Sequence, residues 1–257
     1  MKTKLTRKLS LLLLSATFIF TSCEMSENMY INEDGSGKIS IQVDGSGIMQ
    51  MMGSSITQGE KMKMDSLFVF KDFLEEKKDS IATLSPEEQQ NLKAIENFKM
   101  RIAMDSDSLT MNFDMFSDFT SVNELNDVFN SFQKGYKLAS QSNKKLSGGG
   151  QGQALNQSGE PSSNVTYFYD KKKFKRTTEI ANLEKFKKEM DSTLGPAKSM
   201  FGSSKYKLKY HFPRRIKKSS VEDAMFSADG KTIIIERGLI DYLSDPKVLD
   251  FEVEFED

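Results

Sequence analysis

Apolar and polar residues alternate in several stretches of this chain, with the period of two that is typical of half-buried β-strands. The clearest pair covers residues 98–104 and 109–115, with the turn sequence Asp105-Ser106-Asp107-Ser108 between them. A second pair lies within residues 28–44, around the turn Glu33–Gly37. Further alternating stretches occupy residues 165–169, 206–212 and 251–255. Residues 174–180 could form a returning strand, and residues 226–235 contain the turn Ala228-Asp229-Gly230 and the apolar run Ile233–Ile235. The pattern predicts antiparallel hairpins.

Helix signals lie between these strands. Residues 71–97 are predicted to be helical, with a start signal at Ser85-Pro86-Glu87-Glu88. Ser121 and Glu124 form a second capping box, which predicts a helix that reaches residue 138. Asn182 is predicted to cap a helix that ends near Gly195-Pro196. The predicted fold class is therefore α+β, an antiparallel sheet built from hairpins and packed against several helices.

Two of the alternating strands carry opposite charges on their polar faces. Lys205, Lys207 and Lys209 form a basic row, and the row formed by Asp250, Glu252, Glu254 and Glu256 is acidic. Because opposite charges on neighbouring strands attract, we expect both strands in one sheet, with the charged rows facing solvent and the aromatic rows facing helices. Direct adjacency is favoured, although residues 226–235 could intervene.

The N-terminus has the features of a signal peptide. A basic segment, with Lys2, Lys4, Arg7 and Lys8, precedes the apolar run Leu9–Phe20. That run is shorter than the about 20 residues that a membrane-spanning helix needs. The sequence Phe20-Thr21-Ser22-Cys23 resembles a bacterial lipobox, with Phe20 where leucine or valine is usual. The resemblance implies lipidation of Cys23; the alternative is an ordinary secretory signal with a coincidental cysteine.

Lipidation would place the mature protein on a bacterial envelope membrane, anchored by its N-terminal lipid without spanning it. The outer membrane is the predicted location. Glu24 and Glu27 lie just after Cys23 and resemble a surface-export signal of Bacteroidota. The periplasmic and the surface face both remain open.

The chain divides into four predicted regions. Residues 1–22 form the lipoprotein signal peptide, and residues 23–140 form an N-terminal α+β region. Residues 141–164 are rich in glycine, serine and glutamine and are predicted to be a flexible linker. Residues 165–257 form a C-terminal α+β region, which is expected to share a sheet with the N-terminal hairpin.

Three C-terminal segments resemble the C-terminal module of LppM-type bacterial lipoproteins: Tyr210–Pro213, Ser227–Thr232 and Leu249–Phe255. The N-terminal turn Asp34–Gly37 fits the same pattern, and the region Phe73–Leu125 resembles uncharacterised lipoproteins of Bacteroidota. The resemblance carries no catalytic motif. It implies an extracytoplasmic α+β lipoprotein.

Composition and short motifs narrow the range of partners and metal sites that the chain could have. The formal net charge is −1, from 36 basic and 37 acidic residues, which argues against a nucleic-acid partner. One cysteine and one histidine exclude zinc sites of the finger type and an intrachain disulfide. His211 is interpreted as a surface histidine rather than a catalytic one. Asp105 and Asp107 resemble the start of a calcium loop but lack its glycine and terminal glutamate, so a solvated turn is favoured.

A different short motif recurs four times. Asp-Ser followed by an apolar residue or threonine resembles the O-glycosylation site of Bacteroidota, and it makes candidate acceptors of Ser66, Ser80, Ser108 and Ser192. The alternative is that Asp-Ser is a common cap or turn sequence.

No catalytic, cofactor or metal-binding motif is found in the sequence, so the predicted function is a non-catalytic binding or structural role. The expected partners are the membrane and an envelope protein or lipid of unknown identity. One alternative is an envelope-polymer hydrolase that uses a carboxylate pair. Another is a Cu(I) carrier that uses the thioethers of the Met-rich segment Met49–Met64.

Overall fold

The structure is a computed structural model. It describes residues 24–47, 49–50, 63–125, 130–131, 163–194 and 201–257. The predicted signal peptide, Cys23 and residues 141–162 of the predicted linker lie outside the described residues.

The described part of the chain is mostly β-sheet, with few helices. Its strands are β1 Glu24–Ile31, β2 Gly37–Asp44, β3 Lys63–Val69, β4 Lys99–Asp105, β5 Thr110–Phe119, β6 Ser163–Tyr169, β7 Lys173–Ile180, β8 Lys205–His211, β9 Ile216–Ser219, β10 Met225–Phe226, β11 Thr232–Gly238 and β12 Phe251–Phe255. The hairpins predicted around residues 33–37 and 105–108 are confirmed as β1–β2 and β4–β5.

The strands form two sheets. The large sheet has the order β10-β11-β8-β1-β2-β5-β4-β3, and the small sheet has the order β6-β7-β12-β9. Every pair of neighbouring strands in the described ranges is antiparallel except β1 and β8, which run parallel with Glu24 beside Lys205. A strand from the C-terminal region thus extends the sheet of the N-terminal hairpin.

The inward faces of the two sheets meet in an aromatic core. The Tyr210 ring of β8 lies 5.5 Å from the Phe251 ring of β12, and Phe212 lies 4.9 Å from Phe255. Phe174 of β7 contacts Tyr210 at 5.6 Å. All five side chains are buried. The aromatic surface that they remove from water stabilises the pairing of the sheets.

The prediction that β8 and β12 lie in one sheet is wrong. They belong to different sheets, and their aromatic faces pack against each other, while Tyr206 also contacts Tyr242 of the helix Leu239–Ser244 with 4.4 Å between ring centroids. Each charged row finds its opposite charges on other strands. Lys207 Nζ lies 2.8 Å from Glu24 Oε1 and 3.8 Å from Glu236 Oε2, while Glu254 is in register with Lys173 and Lys218.

The helices are short. They are α1 Phe70–Glu76, α2 Lys78–Ile81, α3 Pro86–Lys93, α4 Leu183–Leu194 and α5 Leu239–Ser244. The helical region predicted at 71–97 therefore consists of three short helices, with Pro86 at the start of α3 as predicted. The Asn182 cap is confirmed, because its Oδ1 accepts a hydrogen bond from the backbone N–H of Lys185 at 2.9 Å.

The prediction of a helix that begins at Ser121 is wrong at its N-terminal end. Val122–Glu124 form a single 3-10 turn, the Ser121 side chain makes no capping hydrogen bond, and Leu125 is extended. Residues 126–129 and 132–138 of that prediction lie outside the described residues.

Candidate functional site

A buried carboxylate lies at the centre of the interface between the sheets. Alternation along β1 turns Met25, Glu27, Met29 and Ile31 inward, and Glu27 is only 1% exposed. A charged group in an apolar core is unfavourable unless hydrogen bonds and opposite charge compensate it. The neighbours of Glu27 supply both.

Three tyrosine hydroxyls donate hydrogen bonds to Glu27. Tyr206 donates to Oε2 at 2.8 Å, Tyr167 donates to Oε1 at 3.0 Å, and Tyr210 also donates to Oε1. Tyr206 and Tyr210 lie on β8, next to β1 in the large sheet, whereas Tyr167 lies on β6 of the small sheet. Glu27 therefore connects the two sheets through one carboxylate.

A buried arginine supplies the opposite charge. Arg176 of β7 is 1% exposed, and its Nη1 donates to the carbonyl oxygen of Leu249 at 3.3 Å. The same Nη1 lies 3.6 Å from Oδ1 of Asp250. Burial opposes the charged form of Arg176, but Glu27 and the neighbouring tyrosines together outweigh it, and the pKa of the guanidinium is raised well above its ordinary value.

We name these five residues, Glu27, Tyr167, Arg176, Tyr206 and Tyr210, the Glu27 cluster. Each member is at most 6% exposed. The carboxylate oxygens are engaged by protein hydroxyls, so the geometry suits a fixed link between the sheets rather than a centre that receives a substrate. Among the residues whose side-chain burial the structure describes, Glu27 is the only buried acid, so no pair of buried acids forms among them.

Burial and the negative charge of Glu27 raise the pKa of both Tyr206 and Tyr210 well above the ordinary tyrosine value. A raised folded-state pKa means that the contribution to stability is complete below the unfolded-state pKa of about 10 and is lost as the pH rises above it. We therefore expect the free energy of unfolding to fall above about pH 10, by about 1.4 kcal/mol per tyrosine at one pH unit higher.

Urea unfolding at about pH 9 and about pH 11 measures this effect. Tyr206→Phe should weaken the difference between the two pH values, whereas Tyr30→Phe, which removes an exposed tyrosine, should leave it as in the wild type. An equal pH dependence in all three proteins would contradict the assignment.

Three of the four candidate glycosylation sites lie on the surface. Ser66 of β3, Ser80 of α2 and Ser108 of the β4–β5 turn are all exposed, and Ser192 lies in α4. If these serines carry glycans, the native protein should be heavier than its lipidated polypeptide. Intact-mass spectrometry of the protein from its own host, beside a Ser66→Ala, Ser80→Ala and Ser108→Ala variant, measures this. A native mass that lipid and polypeptide fully explain would contradict the assignment.

The single histidine lies on the outer face of the large sheet. The His211 ring is stacked on the ring of Tyr30, with 4.5 Å between centroids and 11° between planes. Its Nδ1 shares a 2.9 Å hydrogen bond with Thr232 Oγ1. Partial burial lowers the pKa of the imidazole. His211 thus lies outside the Glu27 cluster.

The remaining candidate ligands are the methionines of the Met-rich segment and the acids of the calcium-loop-like turn. Where the structure describes them, they take part in packing or in a turn. Met49 is buried and Met64 is half-buried, while Met51, Met52 and Met62 lie outside the described residues. The Asp105 carboxylate accepts the backbone N–H groups of Asp107 at 2.9 Å and Ser108 at 3.3 Å, which confirms a turn. Among the residues described, no group of three or more histidine, cysteine or acidic side chains is placed to hold a metal ion.

Sequence reasoning did not find the Glu27 cluster. The signal that could have found it is positional: Glu27 lies between Met25 and Met29 in the period-two pattern, and Arg176 lies between Phe174 and Thr178. An acid and an arginine at inward positions of two strands predict a buried, mutually compensated pair.

Comparison of the chain with protein-family models, with curated proteins and with solved structures finds no match. The resemblance to LppM-type lipoproteins therefore stays a prediction. None of the helices that the structure describes combines the length and apolarity needed to span a membrane.

Proposed function

We propose that this chain is a bacterial envelope lipoprotein, anchored to a membrane through lipid on Cys23, whose folded body has a non-catalytic binding or structural role. The proposal joins the lipobox-like sequence at residues 20–23 to a body made of two packed sheets. The partner of that body is an envelope protein or lipid, and the outer membrane is the proposed location.

The observation that carries the proposal is that the residue next to Cys23 is already part of a paired strand. β1 starts at Glu24, the residue directly after Cys23. Glu24 is already paired with Asp44 of β2 and with Lys205 of β8. Cleavage before Cys23 would thus leave β1 intact as far as the structure describes it, so processing at the predicted site is compatible with the fold.

The Glu27 cluster supports a non-catalytic role. Its three tyrosine hydroxyls donate to its acid in the interior, and all five residues are buried. Their shared effect is to hold the two sheets together, which is a property suited to a rigid binding or structural body.

The processing step tests the proposal. A selective inhibitor of the lipoprotein signal peptidase should make the precursor accumulate, with residues 1–22 still attached, because that enzyme cleaves before a lipidated cysteine. A secreted protein from the same cells that has an ordinary signal peptide is the control and should be processed as usual. Normal processing of this chain under the inhibitor would contradict the lipoprotein assignment and favour an ordinary secretory signal.

A further inference from the structure

We infer that the end of the large sheet at which β1 begins lies against the headgroups of the membrane that holds the lipid of Cys23. The inference rests on the proposed lipidation and adds an orientation to it. The observations that support it are the length of the tether between lipid and fold, the pairing of β1 with its neighbours and the register of the large sheet.

The tether between lipid and fold contains no residue. Adjacent Cα atoms of a trans peptide are about 3.8 Å apart, so the Cα of Cys23 must lie within that distance of the Cα of Glu24. A lipoprotein body that hangs on a flexible linker can rotate freely above the membrane. A body joined directly to its lipidated residue cannot move that end of β1 away from the surface.

The first residues of β1 are not free to unwind into a linker. β1 is an inner strand of the large sheet, with β2 on one side and β8 on the other. Glu24 is in register with both neighbours, and Lys207 Nζ lies 2.8 Å from its Oε1. Freeing β1 from this end would expose Met25 and then the buried carboxylate of Glu27, which is costly.

The register shows which residues share the membrane end. Lys205 begins β8 beside Glu24, and Asp44 ends β2 on the other side. Gly238, at the end of β11, is in register with Lys205. Because the end carries acids as well as lysines, the tether rather than net charge must set the orientation.

The opposite end of the sheet points away from the membrane. With a rise of about 3.3 Å per residue, Ile31 lies roughly 23 Å along β1 from Glu24. The turn at residues 32–36 and the stacked pair Tyr30 and His211 lie near that far end. A partner that approaches from the aqueous side would meet these residues first.

Three exposed lysines on the outer face of the large sheet provide labelling positions at graded distances from the start of β1. Lys205 is in register with Glu24, Lys209 with Asn28, and Lys38 with Tyr30. They stand at increasing distance from the start of β1. The chain has one cysteine, so in the lipidated protein an engineered cysteine would be the only free thiol.

The experiment uses the full lipidated protein with Lys205→Cys, Lys209→Cys or Lys38→Cys, each labelled with the same fluorophore. The proteins are reconstituted into vesicles of phosphatidylethanolamine and phosphatidylglycerol that contain a lipid with a nitroxide on its headgroup. We expect quenching to be severalfold stronger at position 205 than at position 38, with position 209 between them. Equal quenching at the three positions, or the reverse order, would overturn the inference.

A variant with an inserted linker distinguishes an orientation set by the direct tether from one set by attraction between the folded body and the membrane surface. Twelve glycine and serine residues inserted between Cys23 and Glu24 give a root-mean-square reach of about 19 Å. That reach is comparable with the length of β1, so the quenching gradient should disappear. A gradient that survives the insertion would overturn the inference.

Flotation with the same vesicles distinguishes this inference from the proposed function. A protein that fails to float with them has lost the lipid anchor, and the lipoprotein assignment itself then fails. A protein that floats but shows no gradient keeps the assignment and loses only the orientation.

Discussion

Replacing Glu27 by glutamine is expected to lower the free energy of unfolding by roughly 3–5 kcal/mol. Glutamine has nearly the same shape but no charge, so the buried guanidinium of Arg176 would lose the largest of the fields that favour its charged form. The amide would also turn an NH₂ group toward tyrosine hydroxyls that now donate to a carboxylate.

Chemical denaturation of residues 24–257, expressed without the signal peptide and Cys23, measures the effect of Glu27→Gln. The matched control is Glu24→Gln, because Glu24 lies three residues away on the same strand and its side chain is half exposed in an ion pair with Lys207. We expect the control to cost only about 0–1 kcal/mol. A Glu27→Gln variant as stable as this control would show that the Glu27 cluster does not hold the sheets together.

Replacing Cys23 by alanine is expected to abolish fatty-acid labelling and to release the protein from the membrane fraction. Cys23 is the only cysteine in the sequence, so no other thiol can take the lipid. Acyl chains contribute about 0.8 kcal/mol per buried CH₂ group, and stable anchoring needs two or more chains, so their loss removes the proposed anchor completely.

Labelling of growing cells with tagged palmitate, followed by fractionation, measures the loss. Ser26→Ala is the matched control, since Ser26 is a small residue three positions after Cys23 and lies outside the lipobox-like sequence. It should keep the label and the membrane location. Label incorporated into Cys23→Ala as efficiently as into the wild type would refute lipidation at Cys23.

The hairpins could be predicted because their signals are local. In β4–β5, alternation fixes the inward residues, and the carboxylate of Asp105 closes the turn through nearby backbone N–H groups. The cap at Asn182 is equally local, since donor and acceptor are three residues apart. Each of these features depends on a few neighbouring residues that the sequence shows together.

The pairing of strands could not be predicted in the same way. Alternation shows that Tyr206 and Phe251 face inward, but it does not say whether their strands lie side by side or face to face. Lys205 and Lys207 of β8 are compensated by Glu24 and Glu236, which a comparison of the two charged rows alone could not identify. Strand β3 was missed because it is an edge strand whose Asp65, Ser66 and Leu67 are all exposed, so no alternation marks it.

The candidate site was missed for a related reason. Glu27 is one of two acids near the predicted lipidation site, and the predicted hairpin begins at residue 28, so the alternation that turns Glu27 inward beside Met25 and Met29 lies before it. Its partners Tyr167 and Tyr206 are 140 and 179 residues away in the chain. Contacts over such separations are set by the packing of the sheets and leave no local pattern.

The mass of the N-terminal peptide of the mature protein, purified from the membranes of its own host, tests the central claim most directly. The account predicts a peptide that begins at Cys23 and carries acyl chains on that residue. A peptide that begins elsewhere, or an unmodified Cys23 in the protein from membranes, would contradict it.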